Sequence, residues 1–252
     1  SSLSANRCSL ITSAMSHAIR IHAYGGPDVM QWEPHDPGEP GRGEALIRQT
    51  AVGLNFIDVY ERTGLYPNAL PSGLGREGAG VVEALGPGVR GLVVGERVAY
   101  VSSQAGSYAQ RRCMAADRLV TIPDGVSDRL AAAAMLKGLT AQFLLRRTHR
   151  VRKGDVVVIH AAAGGVGLIA AQWARHLGAT VIGVVGSEAK AEFARGHGCH
   201  HTLILGRDDL PAMVREFTGG KGANVVYDSI GKDTFFASLD SLRPLGLMLS
   251  YG

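Results

Sequence analysis

Apolar and polar positions follow two different rhythms along this chain of 252 residues. Between about residues 16 and 120 the apolar runs are short: AIRI, EALIRQTAVGL, GAGVVEAL, ERVAYV, GSYAQRRCM and RLVTI. Clusters of Gly and Pro such as GGPD, DPGEPGRG and GPGV separate them, so each run reads as a strand closed by a turn. Together they predict a small β-barrel-like domain. One stretch breaks the rhythm: in NFIDVYERTGLY (55–66) Phe56, Val59 and Tyr60 recur at helical spacing ahead of Gly64, which predicts a short helix.

After Pro123 the texture changes. SDRLAAAAML and GLTAQFLLRRTHR are rich in Ala and Leu, and Ser127 or Asp128 is a suitable cap for the first. Strand and helix then alternate: VVVIH (156–160), VGLIAAQWARHLG (166–178), TVIGVVG (180–186), EAKAEFARGHG (188–198), HTLIL (201–205), DLPAMVREFTGG (209–220) and NVVYDSI (224–230). A helix near 233–242 and the strand LMLSYG (247–252) end the series. Continuously apolar strands separated by helices of about ten residues predict a parallel sheet covered on both faces. The fold class expected is therefore α/β, a doubly wound sheet preceded by a β domain.

In such a sheet the ligand crevice opens where the first strand turns into its helix. Here that corner is HAAAGGVG (160–167), in which Ala162, Gly164 and Gly167 take the places of the G-x-G-x-x-G pattern, with Gly165 added. Small residues admit a pyrophosphate close to the backbone, and the positive end of the following helix attracts its charge. The plainer reading is a tight turn with no ligand; the repeated β/α setting favours the dinucleotide. About 20 residues on, NAD sites place an Asp or Glu that would repel the extra phosphate of NADP. This chain ends the second strand GVVGSEAK, with Gly186 and Ser187 there and Lys190 one turn on, which favours NADPH. Glu188 is the complication, read as a solvent-facing acid of the first helical turn, and Lys190 has the alternative of being an ordinary solvated lysine.

Composition narrows the setting. Hydrophobic residues make up 46% and charged residues 19%, ample for a core, and two domains are the natural expectation at this length. No apolar run reaches the roughly 18–20 residues that cross a bilayer. Cys8, Cys113 and Cys199 are far apart with no CxxC pair, which argues against a disulfide framework or thiolate zinc site and fits the cytoplasm. The net charge of +4 suits an anionic small ligand and is weak support for nucleic acid; RRTHRVRK (146–153) reads as a solvated helix end and loop. Residues 1–14 read as a leader outside the fold, 15–125 as the first domain and 126–252 as the second.

Read together, AYGGPDVMQW (23–32), VGLNFIDVYERTGLYP (52–67), LPSGLGREGAGVVEALGPGV (70–89), GERVAY (95–100), GSYAQ (106–110), LKGLTAQFLL (136–145), HAAAGGVGLIAAQWA (160–174) and VVYDSIGKDTF (225–235) resemble the zinc-independent, zeta-crystallin-like quinone oxidoreductases of the medium-chain dehydrogenase/reductase superfamily. The resemblance implies a GroES-like β-barrel catalytic domain, a Rossmann domain, and NADPH in the cleft between them. It implies no metal: zinc-containing members carry Cys where this chain has Asn55, and His before Glu where it has Arg76 and Glu77. Position by position it implies Phe56, Ile57, Asp58, Val59 and Tyr60 on the nicotinamide side, and Asn55, Tyr60 and Tyr66 as the catalytic set beside the substrate. Thr140 faces the cofactor, Gly164, Gly165 and Val166 the pyrophosphate, and Gly186, Ser187 and Lys190 the adenosine ribose and its phosphate. Tyr60 and Tyr66 have core packing as their alternative, and Asn55 and Asp58 helix capping.

Three departures stand out. Leu205 replaces a tyrosine common beside the adenine, Arg76 replaces a smaller residue and brings a charge toward the substrate pocket, and relatives continue about 70 residues past a segment like LMLSYG, so the Rossmann domain is expected to be incomplete and a family-type homodimer to need the further segment. The activity implied is NADPH-dependent reduction of a quinone. The alternatives are reduction of an enone or alkenal double bond, and a non-catalytic crystallin-like or RNA-binding role.

Overall fold

The structure, a computed structural model, describes residues 15–252, so the leader read in 1–14 lies outside the described residues. The chain divides into two compact units, one ending at Leu136 and one beginning at Lys137.

The first unit holds β1 (Ser16–Ile21), β2 (Met30–His35), β3 (Glu44–Gly53), α1 (Phe56–Thr63), β4 (Ser72–Gly73), β5 (Glu77–Leu85), β6 (Arg97–Val101), β7 (Arg111–Ala115) and β8 (Val120–Thr121). All pairings are antiparallel, in the orders β2-β1-β4 and β7-β3-β5-β6-β8, and an Ala18–Ala109 bridge links the two sheets. Alternate residues of the strands face inward, so Ala45, Ile47, Val82, Val98, Tyr100 and Met114 form one apolar cluster and Ala79, Ala99, Ile122 and Ala132 a second. β2 escaped the pattern reading because MQWEPH holds a proline and few apolar positions; it is an edge strand, where a missing N–H is tolerated. The predicted short helix is α1, ended by Gly64 in the left-handed region (φ 83°).

The second unit begins inside α2 (Asp128–Phe143). The two helical stretches expected there are one helix: Gly138, with open space around it, weakens an α-helix without breaking it, and a π turn, Leu144–Thr148, extends it. Then follow β9 (Val156–His160), α3 (Gly165–His176), β10 (Thr180–Val185), α4 (Glu188–Gly196), β11 (His201–Ile204), α5 (Leu210–Phe217), β12 (Ala223–Asp228), α6 (Phe235–Asp240) and β13 (Leu242–Ser250). All five strands are parallel in the order β11-β10-β9-β12-β13, the doubly wound order expected. Along β9, Val157 and Ile159 enter one apolar cluster with α3, and Val158 enters the other with Leu210 and Val214 of α5. Both faces of the sheet are thereby covered, which is why its strands read as unbroken apolar runs. β13 starts five residues before the expected LMLSYG, because Leu242 already pairs with Ala223 ahead of a register shift.

Candidate active site

The glycine-rich corner is built as the sequence implied. Ala161, just past β9, takes φ 49°, a left-handed turn that an L side chain rarely adopts. Gly164 is the N-cap of α3, and buried Gly167, Ala170, Ala171 and Ala174 set that helix on the sheet with only small side chains between. A Cβ on Gly167 would overlap the Ala161 carbonyl oxygen and lie 2.8 Å from the Ala162 Cα, so no side chain fits. A Cβ on Gly165 would meet Lys137 Cδ at 2.7 Å. At the next strand end, Gly186 has nothing within 4 Å of its Cβ position.

Of these glycines, Gly164 and Gly186 border a cleft of about 300 Å³ also lined by His160, Ala161, Lys190 and Leu205, among others. Of the sequence-predicted cofactor residues, the cleft brings together Gly164, Gly186, Lys190 and Leu205; Gly165, Val166, Ser187 and Thr140 are not on its wall. Ser187 caps α4, its hydroxyl accepting from the Lys190 N–H at 3.4 Å. Glu188 is exposed as expected yet not simply solvated: its Oε2 accepts from Arg207 Nη1 at 2.9 Å. A diphosphate suits this corner, because the cleft is walled by small residues at a helix start and no acidic side chain lines it.

Beneath the cleft lies a buried polar cluster that pattern reading missed. Asp228, at the end of β12, accepts from the N–H groups of Ile230 (2.9 Å) and Gly231 (3.0 Å), from Thr234 Oγ1 (2.7 Å) and from Ser238 Oγ (2.7 Å). Burial alone would raise its carboxyl, but these four donors outweigh it and hold Asp228 below the usual carboxylate range. Ser238 Oγ also lies 2.9 Å from His160 Nε2. Since the serine proton is committed to Asp228, His160 must donate from Nε2, leaving Nδ1 an acceptor, buried and without a partner. Burial lowers the His160 pKa against the pull of Asp228, 4.0 Å away, so the ring is neutral. The signal available in the sequence was Asp228 followed by Gly231, an Asx-turn spacing.

The first unit carries the other predicted residues. Asn55 is buried at the start of α1; its backbone N–H donates to Asp58 Oδ2 (3.0 Å), one half of a capping box, and its side-chain amide donates to Glu77 Oε1 (2.7 Å). Glu77 Oε2 accepts the Leu136 N–H at 2.7 Å. Asp58 also accepts from Tyr108 Oη at 2.7 Å. Burial lifts the Asp58 carboxyl above its ordinary range, with Glu61 and Glu77 adding, against the hydrogen bonds from Tyr108 and Asn55. The same burial and the same carboxylate raise Tyr108, so it stays protonated. Tyr60 and Tyr66 pack with ring centroids 5.2 Å apart, and Phe56, 71% exposed, meets Tyr60 edge-on at 5.1 Å. Arg76 turns onto the buried Glu61 carboxylate and the Ser103 carbonyl, so its charge is paired within the unit. A larger hollow, about 400 Å³ and lined by Ile19, Trp32, Val52, Leu54 and Tyr108, lies elsewhere on this unit; it lacks a glycine corner, so volume alone does not mark the site.

Comparison with known proteins matches a different family model within each unit. The alcohol dehydrogenase GroES-like domain family matches residues 41–124, and the zinc-binding dehydrogenase family matches residues 165–252. A quinone oxidoreductase of Pseudomonas aeruginosa is 50% identical over 94% of this chain and 74% of its own length. The chain belongs to the zinc-independent quinone oxidoreductases of the medium-chain dehydrogenase/reductase superfamily. The chain is similarly close to a 2-haloacrylate reductase of Burkholderia, 51% identical over 94% of this chain and 73% of its own. The crystal structure of Escherichia coli quinone oxidoreductase complexed with NADPH superposes with a TM-score of 0.91 at 45% identity, over 94% of this chain and 73% of that one. One family description names zinc, and the donors here do not suit it: an amide, a guanidinium and a carboxylate already holding Asn55 and Leu136 stand at the relevant positions. Among the described residues no group of three or more His, Cys, Asp or Glu is placed to hold a metal.

Proposed function

We propose that this chain is an NADPH-dependent reductase that passes hydride to a quinone without a metal. The observation that carries the cofactor is the end of β10: Gly186 is open to the cleft, no carboxylate stands on the cleft wall, and Lys190 does. When bound there, NADPH supplies the hydride. The chain's own part is to cradle the diphosphate on the amides at Gly164–Val166, to tolerate the third anionic group beside Lys190, and to present the acceptor to the aromatic cluster of Phe56, Tyr60 and Tyr66.

In this reading Asn55, Tyr60 and Tyr66 are the catalytic set. The Asn55 amide, with one N–H spent on Glu77, keeps a second to orient a carbonyl. The two tyrosine hydroxyls hold or pass the proton that a reduced quinone oxygen takes up. Phe56, Ile57, Asp58, Val59 and Tyr60 are assigned to the nicotinamide side of the cofactor, and Thr140 also faces it. Catalysis belongs to 15–125 and nucleotide binding to 126–252. A family-type homodimer is part of the proposal only for a chain that carries the relatives' further C-terminal segment. A cytoplasmic setting is supported by Cys113 and Cys199 both being free thiols, pushed up to about 11 by burial above all. No helix among the described residues is long and apolar enough to cross a membrane.

The 51% identity to a 2-haloacrylate reductase supports a second reading, reduction of an activated carbon–carbon double bond. Steady-state assays with NADPH and a panel of quinones and enones decide. The proposal expects the higher kcat/KM for quinones, and a large preference for enones overturns it.

A further inference from the structure

Arg207 lies two residues beyond Leu205, on the loop between β11 and α5. Its guanidinium is held from behind: Nε donates to Asp208 Oδ1 at 2.8 Å and Nη2 to Asp208 Oδ2 at 3.2 Å. Asp208 is fixed in turn, because Oδ2 accepts the Ile204 N–H at 2.7 Å where β11 ends. The remaining nitrogen, Nη1, reaches across to Glu188 Oε2 at 2.9 Å. Glu188 is the first residue of α4, next to Ser187 and within one turn of Lys190. A pre-oriented cation therefore stands at the start of α4, two residues along the chain from Leu205 and paired with a residue two before Lys190, both of which line the cleft, and a carboxylate occupies its remaining nitrogen.

The two carboxylates on Arg207 are not equivalent. Asp208 is 21% exposed and tied to the backbone, whereas Glu188 is 66% exposed, on a free side chain with a second loose contact to Arg195 at 3.7 Å. An exposed ion pair stabilises little and exchanges readily. A phosphate monoester carries close to twice the charge and three acceptor oxygens, and matches a guanidinium better than one carboxylate oxygen does.

We infer that Arg207 is a second cation for the 2′-phosphate of the nucleotide, and that Glu188 competes with that phosphate for it, so that this pair sets how strongly the chain prefers NADPH over NADH. The inference rests on the nucleotide reading above and adds a residue pair that neither the glycine pattern nor Lys190 reveals. A pair that only ties the β11 loop to α4 would affect both nucleotides alike.

Fluorescence titration with NADPH and with NADH of the wild type, Arg207→Gln, Glu188→Gln and the double variant tests it. Arg207→Gln is expected to weaken NADPH about tenfold, the loss of one charged hydrogen-bond partner, and to leave NADH within about twofold. Glu188→Gln is expected to tighten NADPH by roughly two- to fivefold, and this gain is expected to vanish in the Arg207→Gln background. Equal shifts for both nucleotides in Arg207→Gln overturn the inference, as does a Glu188→Gln variant that binds NADPH no tighter. With wild-type preference for NADPH intact, those results sink the inference alone. A wild type that binds neither nucleotide sinks the nucleotide reading and the inference together.

Discussion

Placing a carboxylate on Gly186 should turn the cofactor preference around. The site accepts it sterically, since nothing lies within 4 Å of the Cβ position and the backbone there is not left-handed. Gly186 shares the cleft wall with Lys190 and Leu205, so an aspartate side chain would stand beside the ribose that carries the extra phosphate. At a separation of roughly 5 Å, one pair of unit charges repels by about 0.8 kcal/mol in bulk water and about 3 kcal/mol at the effective dielectric of a protein surface. The phosphate carries roughly 1.5–2 charges. Salt screening keeps the result near the lower bound, so a penalty of about 1.5–3 kcal/mol follows, or roughly 10- to 150-fold in NADPH affinity. The same carboxylate can accept from the free 2′-hydroxyl of NADH, a charged hydrogen bond that contributes about 1.5 kcal/mol, near tenfold in the other direction. Calorimetric titration of Gly186→Asp with both nucleotides reads the two effects separately. Equal loss of both, or an NADPH affinity within about twofold of wild type, would refute the placement of the ribose at this strand end.

Further expectations follow from the same geometry. Gly167→Ala sets a Cβ against backbone atoms of Ala161 and Ala162 and should cost about 1–3 kcal/mol in urea unfolding, with nucleotide binding lost alongside. Tyr227→Phe removes a buried hydrogen bond to the Leu144 carbonyl (3.0 Å) and should cost about 1 kcal/mol in the same assay, leaving binding unchanged. Tyr66→Phe should lower kcat with quinones if its hydroxyl passes the proton, by up to about 100-fold, with little change in the Kd for NADPH. Acid should destabilise the second unit in two steps. His160 is depressed, so the unfolded chain binds its proton first and stability falls as pH drops below about 6.5; Asp228 is depressed too, and its contribution goes below about pH 4. Thermal melts of His160→Gln between pH 7 and 5 should therefore slope less than those of the wild type.

How much of this was legible beforehand depended on whether chemistry lay along the chain or across it. The parallel sheet was readable because β9 and β10 are covered on both faces and hence unbroken apolar runs, and the corner because Gly164 and Gly167 meet their constraints within the same eight residues. α1 was readable from the spacing of Phe56, Val59 and Tyr60. β2 was not, since MQWEPH has no buried position and holds a proline, which leaves no apolar alternation to read. The Asn55–Glu77 contact spans 22 residues and His160–Ser238 spans 78, and no local pattern announces such pairs. Arg76 looked like a charge sent toward the substrate; Glu61, a buried acid on the polar side of a short helix, is what claims it. Arg207 was invisible for the same reason, because its partner Glu188 belongs to another β/α unit.

Fluorescence titration of the wild-type chain with NADPH and NADH measures the central claim, that the amides at the first crossover hold the diphosphate while Lys190 accepts a third anionic group. The account expects saturable binding of both, with NADPH tighter by about tenfold or more and the difference shrinking as salt rises. Tighter binding of NADH, or no binding of either nucleotide, would contradict it.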